Sequence, residues 1–221
     1  MRAFEIDNCY NVDCLYGMRL MKEQGLKADW CITDPPYGIG IDKQNKKVCK
    51  NSKHNRKEHS GGGGWDNSIP PKSIFDSIFE CSHNQVIFGA NYFNNYLPQG
   101  NKGWVVWDKG QRGLTMSDCE LIYVSSDSPT RIITYNRVEL LKDGTIHPTQ
   151  KPIALLCKLL TMFTKEGDLI FDPFAGSQSL RIACHKMRRH YIGFEINKEY
   201  YDKGCEWFKK TKAQMSIFDL K

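Results

Sequence analysis

Ala28-Asp29-Trp30-Cys31-Ile32-Thr33 runs directly into Asp34-Pro35-Pro36-Tyr37. The first stretch is mostly apolar, too short for a helix and closed by two prolines, so it reads as a buried strand. Such a strand delivers a carboxylate, a rigid turn and an aromatic ring to the C-terminal edge of a sheet, where open α/β sheets bind their ligands. Proline fixes φ and has no N–H, so Pro35 and Pro36 hold their carbonyls in set directions without a competing donor. An acceptor carboxylate, a fixed acceptor carbonyl and a stacking ring together suit a flat heterocycle bearing an amino group. A strand ending in a proline turn with a surface tyrosine is the plainer reading of these four residues. A second motif decides between the two.

That motif is Asp168-Leu169-Ile170-Phe171-Asp172-Pro173-Phe174-Ala175-Gly176-Ser177-Gln178-Ser179, a strand running into a turn of small residues and then a helix. Small residues let a ligand approach the backbone and the helix N-terminus. His190-Tyr191-Ile192-Gly193-Phe194-Glu195-Ile196 reads as the next strand, and its acid falls about twenty residues past the turn, the spacing of a carboxylate that grips ribose hydroxyls.

With both motifs in view, the sequence resembles the amino-group DNA methyltransferases that use S-adenosylmethionine, and specifically the permuted (beta-type) class whose catalytic motif precedes its cofactor motif. The resemblance covers most of the chain. It implies a Rossmann-like α/β sheet with helices on both faces and a circularly permuted motif order, in one methyltransferase domain over residues 1–221. Asp34, Pro35, Pro36 and Tyr37 match the catalytic motif. Asp172, Phe174, Ala175, Gly176 and Ser177 match the cofactor turn, and Glu195 matches the ribose acid. His147-Pro148-Thr149-Gln150-Lys151-Pro152 resembles the segment that precedes the helix leading into that turn, which implies that Thr149 and Lys151 meet the carboxylate of the cofactor's methionine half. Asp13 has the local chemistry of a helix N-cap; the resemblance adds a place facing the adenine ring of the cofactor. One departure stands out: the family usually has a second glycine where this chain has Gln178.

Length and composition are compatible with this reading. A chain of 221 residues suits one domain with room for one excursion, and has no room for a separate recognition domain. Its charge of 31 − 25 = +6 permits a polyanionic partner without demanding one. Nine cysteines form no Cys-x-x-Cys pair and read as free thiols of a reducing cytosol, so no metal site is expected. No signal peptide and no apolar run near twenty residues occur, which points to a soluble cytoplasmic protein, in a bacterial, phage or mobile-element setting.

Along the chain, Phe4 to Asp13 read as a strand and turn, and Cys14 to Gln24 as a helix with Leu15, Met18 and Met21 inward, closed by Gly25. Seven basic residues and no acid lie between positions 43 and 57: Lys43, Lys46, Lys47, Lys50, Lys53, Arg56 and Lys57. Four glycines follow at 61–64. A basic run is usually a solvated face, but placed after the catalytic turn it reads as a mobile loop, 41–66, that orders on phosphates. Pro70 to Cys81 is amphipathic through Ile74, Phe75, Ile78 and Phe79. Gln85 to Phe88 and Gly103 to Trp107 read as strands, with Asn91 and Tyr92 after the first as pocket candidates or a helix start. Cys119 to Ser125 and Arg131 to Tyr135 read as a hairpin pair. The family places target recognition here, within 108–145, which assigns DNA contacts to Lys109 and Arg112. Pro152 to Phe163, Ser179 to Met187 and a closing stretch to about Lys210 read as helices.

The tail, 212–221, carries Gln214-Met215-Ser216-Ile217-Phe218. It resembles the peptide by which bacterial DNA enzymes dock on a sliding clamp, with Gln214, Ile217 and Phe218 as the contacts. A frayed end, or a helix end folded back, is the alternative. Double-stranded DNA is thus the expected partner, the clamp a second one, and the chain a monomer or homodimer. The expected reaction is methylation of adenine N6 in flipped-out DNA, with cytosine N4 as the alternative target. An RNA or protein methyltransferase and a non-catalytic DNA-binding module of the same fold remain as other readings.

Overall fold

A computed structural model describes residues 3–40, 66–113, 117–136, 146–147 and 149–218. The basic stretch from Lys43 to Lys57 and the four glycines lie outside the described residues.

Eight strands form one sheet: β1 (Asn8–Tyr10), β2 (Ala28–Thr33), β3 (Ser82–Phe88), β4 (Trp104–Asp108), β5 (Cys119–Val124), β6 (Arg131–Thr134), β7 (Leu169–Asp172) and β8 (His190–Phe194). Their order across the sheet is β1-β8-β7-β2-β3-β5-β4-β6. From β1 to β3 every pairing is parallel, whereas β5 runs antiparallel to both β3 and β4. Among the described residues the α-helices are α1 (Cys14–Glu23), α2 (Lys72–Cys81), α3 (Ile153–Phe163), α4 (Ser179–Lys186) and, after the last strand, α5 (Lys198–Phe218).

The expected layering follows from strands whose successive side chains point to opposite faces. Trp30 and Ile32 of β2 pack with Leu155, Leu159 and Ile182 of α3 and α4, while Cys31 between them joins Met18, Met21 and Ile78 of α1 and α2. Ile170 and Phe171 of β7 divide between the same two clusters. β2 and β7 are therefore apolar on both faces. Phe75, Phe93 and Tyr123 form a third cluster at the β3 end of the sheet, and Phe79 packs against its margin.

Four expectations need correction. The first strand is only three residues long, because Asp7 takes φ of 66° and its carboxylate accepts the Tyr191 N–H, ending regular pairing there. Leu15 is exposed, and the inward face of α1 is built instead from Cys14, Met18, Leu20 and Met21. The hairpin of 119–125 with 131–135 does not form. Both edges of β5 are taken by β3 and β4, so β6 pairs in parallel with the far edge of β4, Val106 opposite Ile132. The last helix also continues past Lys210 to Phe218, so the tail from Gln214 to Phe218 extends α5. No described helix is long and apolar enough to cross a membrane.

Candidate active site

Strands β2 and β7 are parallel neighbours, with Cys31 opposite Phe171, so their C-terminal ends emerge together. The two sequence motifs follow these ends. Thr33 donates its hydroxyl to Asp172 Oδ1 at 2.8 Å, tying one motif to the other. A cavity of about 380 Å³ opens at this edge and is lined by Asp34 and Pro36 from the first motif and by Asp172, Phe174, Gly176 and Ser177 from the second. Asp13, Thr149, Lys151 and Glu195 line it as well.

The cofactor-turn half is held by main-chain donors. Glu195 accepts from Gly176 N–H at 2.8 Å through one oxygen and from Asn197 N–H at 2.7 Å through the other. The carboxylate is thereby fixed at the strand end with further lone pairs left for a ligand's hydroxyls. Burial outweighs these two bonds and raises its pKa. Gly176 takes φ of 49°, a left-handed conformation that lets the backbone turn under the cavity. Asp13 caps α1 by accepting from Leu15 and Tyr16 N–H and also lines the cavity.

Gln178 occupies the position of the missing glycine, also in the left-handed region at φ 59°. It is fully buried, and its side chain leaves the cavity for α5, where its amide donates to Tyr201 O at 3.0 Å. Arg181 donates to its side-chain oxygen at 3.1 Å. A Cβ on Gly204 would come within 2.8 Å of the glutamine, so α5 makes room with a glycine of its own. The departure is thus accommodated by α5, and the glutamine side chain stays outside the cavity.

The catalytic-turn half is a buried cluster of charges. Tyr37 Oη lies 2.5 Å from Asp34 Oδ1 and 2.6 Å from Glu120 Oε1. Lys151 Nζ lies 2.5 Å from Asp34 Oδ2 and 3.2 Å from Glu120 Oε1, and Lys109 Nζ is 3.3 Å from Glu120 Oε2. Burial pushes the Asp34 carboxyl up, against the pull of Lys151 and with a further push from Glu120. Glu120 behaves differently: burial acts on it too, but Lys151 and Lys109 outweigh it and hold the carboxyl below its ordinary value. Burial would lower Lys151, yet Asp34 and Glu120 more than compensate and keep it protonated. Asp172 lacks any such cation. Burial raises it to about 7 despite its bonds from Thr33 and the Phe174 N–H.

The other residues singled out from sequence are divided between this cluster, the cavity wall and the surface. Lys151, expected at the cofactor carboxylate, lines the cavity but directs its ammonium at Asp34 and Glu120. Thr149 lies at the cavity with its hydroxyl 3.1 Å from His147 Nδ1. Lys109, expected on DNA, is mostly buried against Glu120 and over the Trp107 ring. Arg112 is exposed and paired with Asp108 through both guanidinium ends. Asp66, placed in the mobile loop by the sequence, is buried and accepts from Gly38 N–H at 2.8 Å, pinning the catalytic turn. Gln214 is exposed near the end of α5, and the side chains of Ile217 and Phe218 lie outside the described residues.

Two residues at the site were missed or left undecided. Glu120 carried no signal, since an acid inside a strand has no motif around it. Tyr92 was one of two candidates, and its ring stacks on Tyr37 at 4.9 Å with planes 12° apart. Gly89 makes this packing possible: a Cβ there would fall 2.2 Å from the Tyr37 ring.

Fold and site define an α/β protein of the doubly wound kind, with a nucleotide-sized pocket and an acid cluster at adjoining strand ends. The DNA methylase family of N6 and N4 amino-group enzymes matches residues 50–206, more than half of the chain, and the protein belongs to that family. Type II methyltransferase M.HpaI of Haemophilus parainfluenzae is 38% identical over 93 residues, 42% of this chain and 29% of that protein. DNA adenine methyltransferase YhdJ of Escherichia coli (strain K12) is 40% identical over 77 residues, 34% of this chain and 26% of that protein. The matches thus span less than a third of these relatives. Among solved structures, M1.HpyAVI in its SAM complex superposes with a TM-score of 0.62 at 21% identity, over 90% of this chain and 98% of that one. The cytosine-N4-specific PvuII DNA methyltransferase gives 0.56 at 14%, over 93% and 90%.

Proposed function

We propose that this protein transfers a methyl group from S-adenosylmethionine to the exocyclic amine of a base in duplex DNA, adenine N6 by preference. One observation carries the reading: a single cavity is lined both by Asp34 and Pro36 of the amine-binding turn and by Gly176 and Glu195 of the nucleotide-binding turn. The donor set fits the cofactor. Glu195 is acceptor-only and suits ribose hydroxyls, Asp13 is a second acceptor at the cavity wall, and Phe174 gives an apolar flank. When bound, the cofactor supplies an electrophilic methyl group on a positively charged sulfur.

The chain's residues do the rest by placement. The lone pair of an aromatic amine is delocalised into its ring, so the nitrogen is a poor nucleophile. Asp34 and the Pro35 carbonyl accept its hydrogens and favour a tetrahedral nitrogen with the lone pair directed along the reaction axis. A base within a duplex must leave the stack to reach them. The Tyr37 and Tyr92 rings supply an aromatic wall beside Asp34, and stacking on such a wall contributes roughly 1–3 kcal/mol per base.

Asp34→Ala tests the assignment: methyl transfer to DNA is lost while cofactor binding measured by calorimetry persists. Retained turnover refutes it. The target base is decided by digesting methylated DNA to nucleosides and weighing the product. DNA contact through Lys43 to Lys57 is tested by the salt dependence of binding after these lysines are neutralised. Clamp docking through Gln214, Ile217 and Phe218 is tested by deleting residues 214–221 and measuring clamp affinity.

A further inference from the structure

Glu120 lies on β5, three strands from the cofactor turn in the sheet order, and nothing in the methyl-transfer scheme above uses it. Yet it is buried beside Asp34 and touches three of the groups around it. The hydrogen count at Tyr37 explains why this matters. Its hydroxyl has one hydrogen and sits within 2.6 Å of two carboxylate oxygens, one of Asp34 and one of Glu120. With both acids ionised, only one of the two contacts can be a hydrogen bond, and the other sets oxygen lone pairs against each other. One added proton removes that conflict. Asp34 then donates to Tyr37 Oη, and Tyr37 donates to Glu120. The cluster therefore has a place for one proton beyond its resting complement.

Methylation releases one. The amine lone pair becomes the new N–C bond, the C–S pair stays with sulfur, and one N–H pair returns to nitrogen as its proton departs. We infer that Glu120 is a positioning residue for this departure: by drawing the Tyr37 hydrogen to itself, it leaves the Tyr37 oxygen as acceptor for the proton that Asp34 takes from the methylated amine. The two acids are unequally biased in the required sense. Burial raises Asp34, and Glu120 raises it further, whereas Lys151 and Lys109 hold Glu120 ionised. The proton thus rests on Asp34 and passes to solvent once the methylated base has left. Lys151 bridges both carboxylates throughout, and the remaining charge facing Asp34 is Asp172 at the end of β7.

The inference rests on the methyl-transfer reading, and its test separates the two. Single-turnover transfer of labelled methyl from S-adenosylmethionine to duplex DNA is measured against pH for wild type, Glu120→Gln, Tyr37→Phe and the double variant. Each single substitution lowers the rate by about tenfold to a hundredfold, at or below the low end of the roughly 10²–10⁴-fold contributed by a group that transfers the proton directly, and leaves cofactor and DNA affinity within about twofold. Because both act through one chain, the double variant is no slower than the worse single. Glu120→Gln also moves the acid limb to lower pH, since a neutral neighbour no longer raises Asp34. A merely structural role does not move that limb. An active wild type with an unaltered Glu120→Gln, or with additive losses in the double variant, overturns the inference alone. A wild type that transfers no methyl to DNA overturns the reading and the inference together. Should Glu120→Gln fail to fold, Tyr37→Phe decides: transfer at the wild-type rate refutes the chain.

Discussion

Asp172 should make the protein less stable as pH rises, and Asp172→Asn should reverse this. The acid is 5% exposed, its pKa is raised from 3.8 to about 7, and no cation compensates the burial. In the unfolded chain it releases its proton near the ordinary value, whereas in the folded protein it keeps it until near neutrality. Between these values the folded state binds more protons, so stability falls as pH rises through the window and is flat above it. The shift of 7 − 3.8 = 3.2 units corresponds to about 4 kcal/mol at most, at 1.36 kcal/mol per unit. Asparagine removes the ionisation and keeps the bonds, because the Thr33 hydroxyl and the Phe174 N–H both donate to the same oxygen, Oδ1. The variant should therefore match the wild type below about pH 4 and exceed it by up to about 4 kcal/mol near pH 8, a gain of roughly 2–4 °C in Tm per kcal/mol for a chain of this size. Urea melts of both proteins across that range measure the difference directly. A difference that does not change with pH refutes the argument, since every other titrating group cancels between the two chains.

Lys151→Met leaves Asp34 and Glu120 buried with one countercharge fewer, so both carboxyl groups rise further and the acid limb of the pH–rate profile moves to higher pH; an unmoved limb counts against the pairing. Gly89→Ala puts a methyl group into the Tyr37 ring at a residue with φ of 63°, and should cost about 1–3 kcal/mol and reduce transfer more than cofactor affinity. Gly204→Val drives a branched side chain against Gln178 between α4 and α5 and should destabilise by a similar ~1–3 kcal/mol, with much of the loss recovered by Gln178→Gly in the same chain. Lys22→Met breaks an exposed pair with Glu80 and should change stability by less than about 1 kcal/mol in denaturant melts.

The parallel half of the sheet was legible because its strands are buried on both faces. A short apolar run closed by Pro35, or by Pro173, has one reading in such a fold, and the small-residue turn after β7 marks the strand end as a binding edge. The antiparallel half was less so. Local alternation identified β5 and β6 as strands but could not assign their partners, which depend on which edges β3 and β4 had already filled. Leu15 fails for a similar reason. Helical spacing puts it beside Met18, yet it is Gly17 that packs against Phe194, where a Cβ would fall 2.5 Å from the ring.

The site divides in the same way between what one segment encodes and what the fold assembles. Asp34, Tyr37, Gly176 and Glu195 each sit in a stretch whose own chemistry explains the residue, so sequence alone reaches them. Lys109 and Glu120 lie on the paired ends of β4 and β5, Lys151 comes from a distant segment, and the three acquire meaning only by meeting. Read singly, two are surface lysines and one is a strand acid. Together with Asp34 they make a neutral quartet, two cations against two carboxylates, in which each charge is compensated by a neighbour from another element. This compensation opposes the burial that raises the Asp34 carboxyl at the end of β2, an opposition that no cation provides for Asp172. It also explains why Lys109, basic and close to the expected DNA face, serves the interior instead: withdrawing it to bind phosphate would leave Glu120 with Lys151 alone, and Lys151 is already shared with Asp34.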